Sequence, residues 1–282
     1  MFLKIKHIPE NITKKETVKM KKLIVGTSWK MRKTVEEGIK WLDILMQYIA
    51  NKKDSAEAIE IFLIPSFLSI YPFIEKTKTN KIDIGIGAQN CCWEDEGAFT
   101  GELSPMHLKA CGAKYVELGH AERIEIFGED YEMIRKKVMA AKRNGLEVIL
   151  CIGEKEKNDD ESKKIKIFES QIMSILEQLT QEDLKKVIIA YEPVWAIGQS
   201  ESAPMEYINN SMACIRDVIN KNFNSPSGDD QRIIYGGSVF PETAKQLLSL
   251  ENNSGIFVGR GALNADFFIQ MIDWAIEVSR TK

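Results

Sequence analysis

The sequence predicts an α/β fold: a single (β/α)8 barrel of parallel strands ringed by helices. Two observations carry that expectation. From Lys22 onward, short apolar, β-branched runs alternate with longer amphipathic stretches. Eight such pairs fill residues 22–282 of a 282-residue chain, which matches the length of about 250 residues typical of one barrel. A doubly wound open sheet uses the same alternation. The absence of a Gly-x-Gly-x-x-Gly after the first strand argues against its dinucleotide-binding version.

The pairs run in order. The first strand is read at Leu23–Trp29 and its helix at Thr34–Ala50. Glu60–Ile64 precedes a helix at Phe67–Thr77, and Asp83–Gln89 precedes one at Pro105–Cys111, where proline suits a first helical turn. Tyr115–Leu118 precedes Tyr131–Asn144, and Glu147–Cys151 precedes Ser162–Leu179. Val187–Tyr191 is a solid apolar run, as a strand buried on both faces requires, and its helix is Met205–Asn220. Arg232–Tyr235 with Pro241–Leu248, then Gly255–Val258 with Ala265–Val278, complete the set. The polar stretch Asn222–Asp230 reads as an enlarged surface loop. Residues 1–21 are lysine-rich, lack a continuous apolar segment, and read as a flexible extension to a catalytic domain at 22–282.

Composition narrows the function. A formal net charge of -3 gives no basis for a nucleic-acid or anionic-membrane partner. No apolar run approaches the roughly 20 residues of a membrane span. The five cysteines, Cys91, Cys92, Cys111, Cys151 and Cys214, form no Cys-x-x-Cys. They read as reduced, buried thiols of a cytoplasmic protein. Only three histidines are present, which weakens any metal site, and none is expected.

Chemistry in such a barrel gathers at the C-terminal ends of the strands. Strand one runs into Ser28-Trp29-Lys30, and a lysine there can stabilise developing negative charge, although alone it would be an ordinary solvated cation. Strand four runs into Gly119-His120-Ala121-Glu122. The glycine allows a tight turn, and the imidazole can act as general acid or polarise a carbonyl. Alone, His120 would read as a structural histidine and Glu122 as a surface charge. Strand six ends at Glu192, followed by Pro193-Val194-Trp195-Ala196-Ile197-Gly198. Apolar neighbours exclude water, raise the carboxyl pKa and improve it as a base near neutrality. Trp195 to Gly198 supplies a cover and a flexible point, as a closing lid needs. Strands seven and eight end in Gly236-Gly237-Ser238 and Gly259-Arg260-Gly261, at the two loops that often bind phosphate in this architecture.

Together these residues resemble the triosephosphate isomerase family over about 21–280. The resemblance is carried by Gly87-Ala88-Gln89-Asn90-Cys91, Gly97–Pro105, Leu118–Arg123, Phe127-Gly128-Glu129, Cys151–Glu154, Tyr191–Gly198 and Tyr235–Val239. It implies Lys30 contacting substrate, His120 as a neutral electrophile, Glu192 as the base, and Glu122 supporting Lys30. It implies a lid at Pro193–Ala203 that brings the Gly198 N–H to the phosphate, with Ser238, Gly259 and Arg260 at the remaining phosphate positions. It implies a phosphosugar substrate, no metal or organic cofactor, and a homodimer through a protruding loop at Gly97–Glu102.

Several positions depart from the family pattern. Ser28 and Arg32 stand where asparagine is usual, Ala121 where serine is, and Arg260 where a second glycine is. Gln199-Ser200-Glu201 replaces Thr-Gly-Lys. Ser28 leaves more room near the substrate, and Arg260 adds a charge beside the phosphate loop. Three readings therefore follow. The first is interconversion of dihydroxyacetone phosphate and D-glyceraldehyde 3-phosphate. The second is the same chemistry on a four-carbon phosphoketose such as erythrulose phosphate. The third is a barrel kept for binding or structure alone. The complete Lys30, His120, Glu192 set favours an isomerase, and the first reading is preferred.

Overall fold

The computed structural model describes residues 22–199, 201–223 and 231–282. The expected extension at 1–21, lid residue Ser200 and residues 224–230 of the polar loop lie outside the described residues.

Eight parallel strands close into a barrel in sequence order, with the first pairing to the eighth. They are β1 (Leu23–Ser28), β2 (Ile59–Ile64), β3 (Gly85–Ala88), β4 (Tyr115–Leu118), β5 (Glu147–Ile152), β6 (Val187–Tyr191), β7 (Arg232–Tyr235) and β8 (Gly255–Val258). The outer layer comprises α1 (Val35–Asn51), α2 (Lys53–Ala56), α3 (Phe67–Thr79), α4 (Pro105–Cys111), α5 (Ala121–Glu125) and α6 (Tyr131–Arg143). It continues with α7 (Glu161–Leu176), α8 (Gln181–Leu184), α9 (Met205–Phe223), α10 (Pro241–Ser249) and α11 (Ala265–Ser279). All eight expected strands are present, as are the eight helices that follow them.

The differences are local. Strand three is shorter than its apolar pattern, because only Gly85–Ala88 finds ladder partners on β2 and β4. Helix α9 runs on through Phe223, into the stretch read as loop, with Asn222 Nδ2 donating to the Val218 carbonyl and to Glu169. Four cysteines are buried, but Cys111 at the end of α4 is exposed, so the expectation of buried thiols fails there.

Two apolar layers hold the barrel. One lies between strands and helices. The other fills the interior with Ile24, Phe62, Ile64, Tyr115, Ile149, Ile188, Ile234 and Phe257 among its members. Aromatic rings occupy the space opposite glycines. A Cβ on Gly26 would sit 2.0 Å from the Phe62 ring, and one on Gly85 2.3 Å from Tyr115. The parallel register places the first residues of several strands in a charged cluster at the opposite end from the site. Arg232 Nη2 donates to Glu147 Oε2 at 2.8 Å and Nη1 reaches Glu60 Oε2 at 3.5 Å. Lys114 and the Tyr115 hydroxyl also bond Glu60. Burial raises the Glu60 carboxyl, but Tyr115, Lys114 and Arg232 outweigh it and hold the pKa below the usual value. Charges at this end of a barrel serve stability. Arg232→Ala leaves two half-buried carboxylates under-compensated and should cost about 2 kcal/mol in denaturant unfolding. A loss below about 0.5 kcal/mol would show that the cluster contributes little.

Candidate active site

Lys30 follows β1 by two residues and holds φ at 52°, in the left-handed region that non-glycine residues rarely adopt. The turn is held from two sides. Trp29 is buried against Trp41 and Phe73, and Gln89 Nε2 donates to the Lys30 carbonyl at 2.8 Å. This strained backbone aims the ammonium along the mouth, where Nζ lies 2.7 Å from Glu122 Oε1.

His120 caps α5. Its Nδ1 accepts the Glu122 N–H at 3.1 Å, so the proton of the neutral ring sits on Nε2, the nitrogen that faces Glu192. Burial first, and then the Lys30 charge, lower the imidazole pKa to about 4 against the pull of Glu122. A neutral ring near pH 7 is a donor with no charge of its own to shed.

Glu192 follows β6 and is 4% exposed. Its N–H donates to Ile152, and the backbone is clasped so closely that a Cβ on Gly153 would come within 1.9 Å of the Glu192 carbonyl oxygen. Gly236 similarly clears the carboxyl, where a Cβ would lie 2.6 Å from Oε1. Oε2 is buried and accepts no hydrogen bond among the described residues. It lies 3.6 Å from His120 Nε2, too far to bond directly. Burial, then the Glu117 charge, raise the Glu192 pKa to about 8, with Lys30 pulling the other way. An unsatisfied, poorly solvated carboxyl is a stronger base once ionised.

Beyond Glu192, Pro193 and a 3-10 turn at Val194–Ala196 form the base of the expected lid. Glu154 Oε1 anchors it, accepting from Trp195 Nε1 at 2.9 Å, Tyr191 at 3.0 Å and Tyr207 at 2.8 Å. Gly198 has φ 78°, which a side chain would resist. The lid meets the loops after β7 and β8. Ser238 Oγ is placed to donate to the Ala196 and Gln199 carbonyls, and Arg260 Nη2 donates to Gln199 O at 3.0 Å.

All nine residues singled out from the sequence line one cleft of about 280 Å³ that opens to solvent: Ser28, Lys30, His120, Glu122, Glu192, Gly198, Ser238, Gly259 and Arg260. Glu117 lines the same cleft from β4 with Cys151 beneath it, and neither is among the residues expected from the sequence. The only signal for Glu117 was a charge in the middle of an apolar strand. Glu154 is likewise absent from those residues. Among the described residues, no group of three or more His, Cys, Asp or Glu side chains is arranged to hold a metal, and no helix is long and apolar enough to cross a membrane.

The site is thus a buried carboxyl, a neutral imidazole and a lysine around a cleft edged by the segment 193–199 and glycine-rich loops. Comparison with known proteins gives the family. The family model for triosephosphate isomerase matches residues 23–275. The triosephosphate isomerase of Thermoanaerobacter sp. (strain X514) is 37% identical over 259 residues, covering 90% of this chain and 100% of its own length. That of Bacteroides fragilis (strain YCH46) is 37% identical over 254 residues, covering 90% and 99%. That of Aquifex aeolicus (strain VF5) is 37% identical over 249 residues, covering 88% and 98%. This chain belongs to the triosephosphate isomerase family.

Proposed function

We propose that this chain is an isomerase interconverting dihydroxyacetone phosphate and D-glyceraldehyde 3-phosphate by proton transfer through an enediolate. The observation that carries the reading is the pairing of the Glu192 carboxyl with His120 Nε2 across 3.6 Å, beside Lys30. Two adjacent substrate carbons fit that juxtaposition. Ionised Glu192 takes the proton from the carbon next to the carbonyl. The Nε2–H of neutral His120 polarises the carbonyl oxygen, and Lys30 offsets the negative charge that develops. The reaction moves protons only, so the residues supply the chemistry themselves. The phosphate is held by backbone N–H groups of Gly198 and of the Ser238 and Gly259 loops, with Arg260 bracing the lid over it. Glu122 fixes Lys30.

The names of the relatives speak for the three-carbon sugar. Nothing in them supports a four-carbon phosphoketose, and Ser28 already donates its proton to Glu117. The test is a rate comparison on purified protein with glyceraldehyde 3-phosphate and erythrulose phosphate. We expect kcat/KM on the three-carbon substrate to be at least tenfold higher. Absence of its turnover would overturn the reading.

We also place a second copy of the chain across the loops after β1, β2 and β3. Five large apolar side chains are exposed on these loops and at the start of α3: Met31, Phe67, Leu68, Tyr71 and Phe99. A cluster of that kind marks a contact surface. The Gly97–Glu102 loop is braced at its base by Cys92 N–H to Leu103 O at 2.7 Å and by Arg143 on Asp95. Such a loop can dock without first being ordered. Phe99→Glu should convert a homodimer to monomers in sedimentation velocity; a wild-type monomer, or a dimeric variant, would refute this interface. Five free cysteines suit a reducing compartment, so we place the enzyme in the cytoplasm, serving glycolysis and gluconeogenesis.

A further inference from the structure

We propose that Glu117 is a positioning residue for the base: a second buried carboxyl on the barrel floor, linked to Glu192 through Cys151, whose ionisation decides when Glu192 is free to accept a proton. The kinetic part of this inference rests on the isomerase reading; the ionisation part does not.

The pleat of β4 sets the geometry. Tyr115 and Glu117 point into the barrel, while Val116 and Leu118 pack outward against helices. Glu117 is 3% exposed, so water solvates its charge poorly. From β1, Ser28 Oγ donates to Oε2 at 2.6 Å. From β5, the Cys151 thiol lies 4.0 Å from Oε1. The nearby cation, Lys30, gives its ion pair to Glu122, and no described cation pairs with Glu117. Glu117 therefore has hydrogen-bond donors but no counter-ion in contact. A charge placed there acts on Glu192, which lines the same cleft, across a floor with little water.

Cys151 is the physical link. Burial pushes its pKa well up, and the charges of Glu192 and Glu117 push it further, so it stays a thiol. It lies 4.0 Å from Glu117 Oε1 and shares with Glu192 the lining of a small cavity, and its one proton serves one carboxylate at a time. Each carboxyl is thus less well stabilised as an anion when the other is ionised. Burial brings Glu117 to about 7, against the donation from Ser28 and the pull of Lys30. The pair then loses two protons in sequence, and the second leaves against the charge of the first. His120 is already neutral over this range, so it adds no charge to the balance.

Glu117→Gln keeps the shape and removes the charge. We expect the acid limb of kcat/KM to move down by at least half a pH unit. Ser28→Ala removes the donor to Glu117, keeps that carboxyl protonated to higher pH, and should move the limb in the same direction by less. A third readout is independent of turnover: the carboxyl 13C shifts of Glu192 in the substrate-free protein, titrated with and without Glu117→Gln. We expect the Glu192 midpoint to fall in the variant. If wild-type protein does not isomerise the triose phosphate, the functional reading fails while the titration still decides the pairing. An unmoved Glu192 midpoint, or an unmoved acid limb with a uniform loss of rate, would show that Glu117 only fills space. Should Glu117→Gln not fold, Ser28→Ala and the two-step shape of the wild-type titration decide.

Discussion

Glu192→Gln should lower kcat by about 10³-fold while making the folded protein more stable at neutral and alkaline pH. The amide keeps the shape and loses the lone-pair basicity, so binding survives and proton abstraction does not. The stability effect follows from linkage. The carboxyl has its ordinary value of 4.5 when unfolded and about 8 in the fold, raised by burial and then by Glu117. Between those values the folded protein holds a proton that the unfolded chain has released. Stability therefore falls as pH rises through this window, and the whole penalty is present above about pH 8. Glutamine carries no such penalty. The Tm advantage of the variant should be near zero below about pH 5, grow through neutrality and level off above pH 8, reaching a few degrees. A constant gap, or one that shrinks with pH, would mean that Glu192 is not held protonated by the fold. Unchanged turnover would remove it as the base. Both halves share one cause: burial that strengthens a carboxyl as a base also makes it costly to keep.

Much of this was legible in the sequence, for a physical reason. Strands buried on both faces are near-continuous apolar runs, and residues that end such runs stand at the mouth of a barrel. Glu192, His120 and the glycine pairs after β7 and β8 were found that way. Glu117 was not, because a strand interior is expected to be apolar, and only the closed register shows that its carboxyl points inward beneath Ser28. Helices α2, α5 and α8 span at most five residues, too few for a 3.6-residue period to be recognised. Yet α5 matters, since its first turn carries the N–H that fixes the His120 tautomer. The anchoring of the lid was hidden for another reason. Tyr191, Trp195 and Tyr207 lie on three separate elements and meet only at Glu154. Arg260 was expected beside the phosphate loop; its guanidinium reaches the lid carbonyl of Gln199, a contact between segments 61 positions apart.

Lys30→Met is the sharper probe of the electrostatics, because it should move the base in the direction opposite to Glu117→Gln. Methionine retains the length of the side chain and deletes the charge. The left-handed backbone at φ 52° is as strained for methionine as for lysine, and Gln89 still holds the carbonyl, so the loop should keep its path. The electrostatics change threefold. Glu122, paired at 2.7 Å in the native site, becomes an uncompensated carboxylate whose Oε2 lies 3.7 Å from His120 Nδ1. The His120 pKa then rises from about 4, since Lys30 is the second largest cause holding it down and Glu122 raises it. The Glu192 pKa rises above about 8, since Lys30 is what lowers it most. The charge that would meet a developing enediolate is also gone, a loss of about 10³-fold in kcat/KM on the scale of a removed transition-state donor. The acid limb of the pH profile should shift upward, whereas Glu117→Gln shifts it downward. Lys30→Arg separates charge from geometry: it keeps the limb near its native position, while a planar guanidinium cannot occupy the place of the ammonium and the rate stays low. If Lys30→Met left the limb in place and cost only a uniform factor at every pH, Lys30 would act on the substrate alone, and the coupling of lysine, carboxyl base and barrel-floor acid would have to be abandoned.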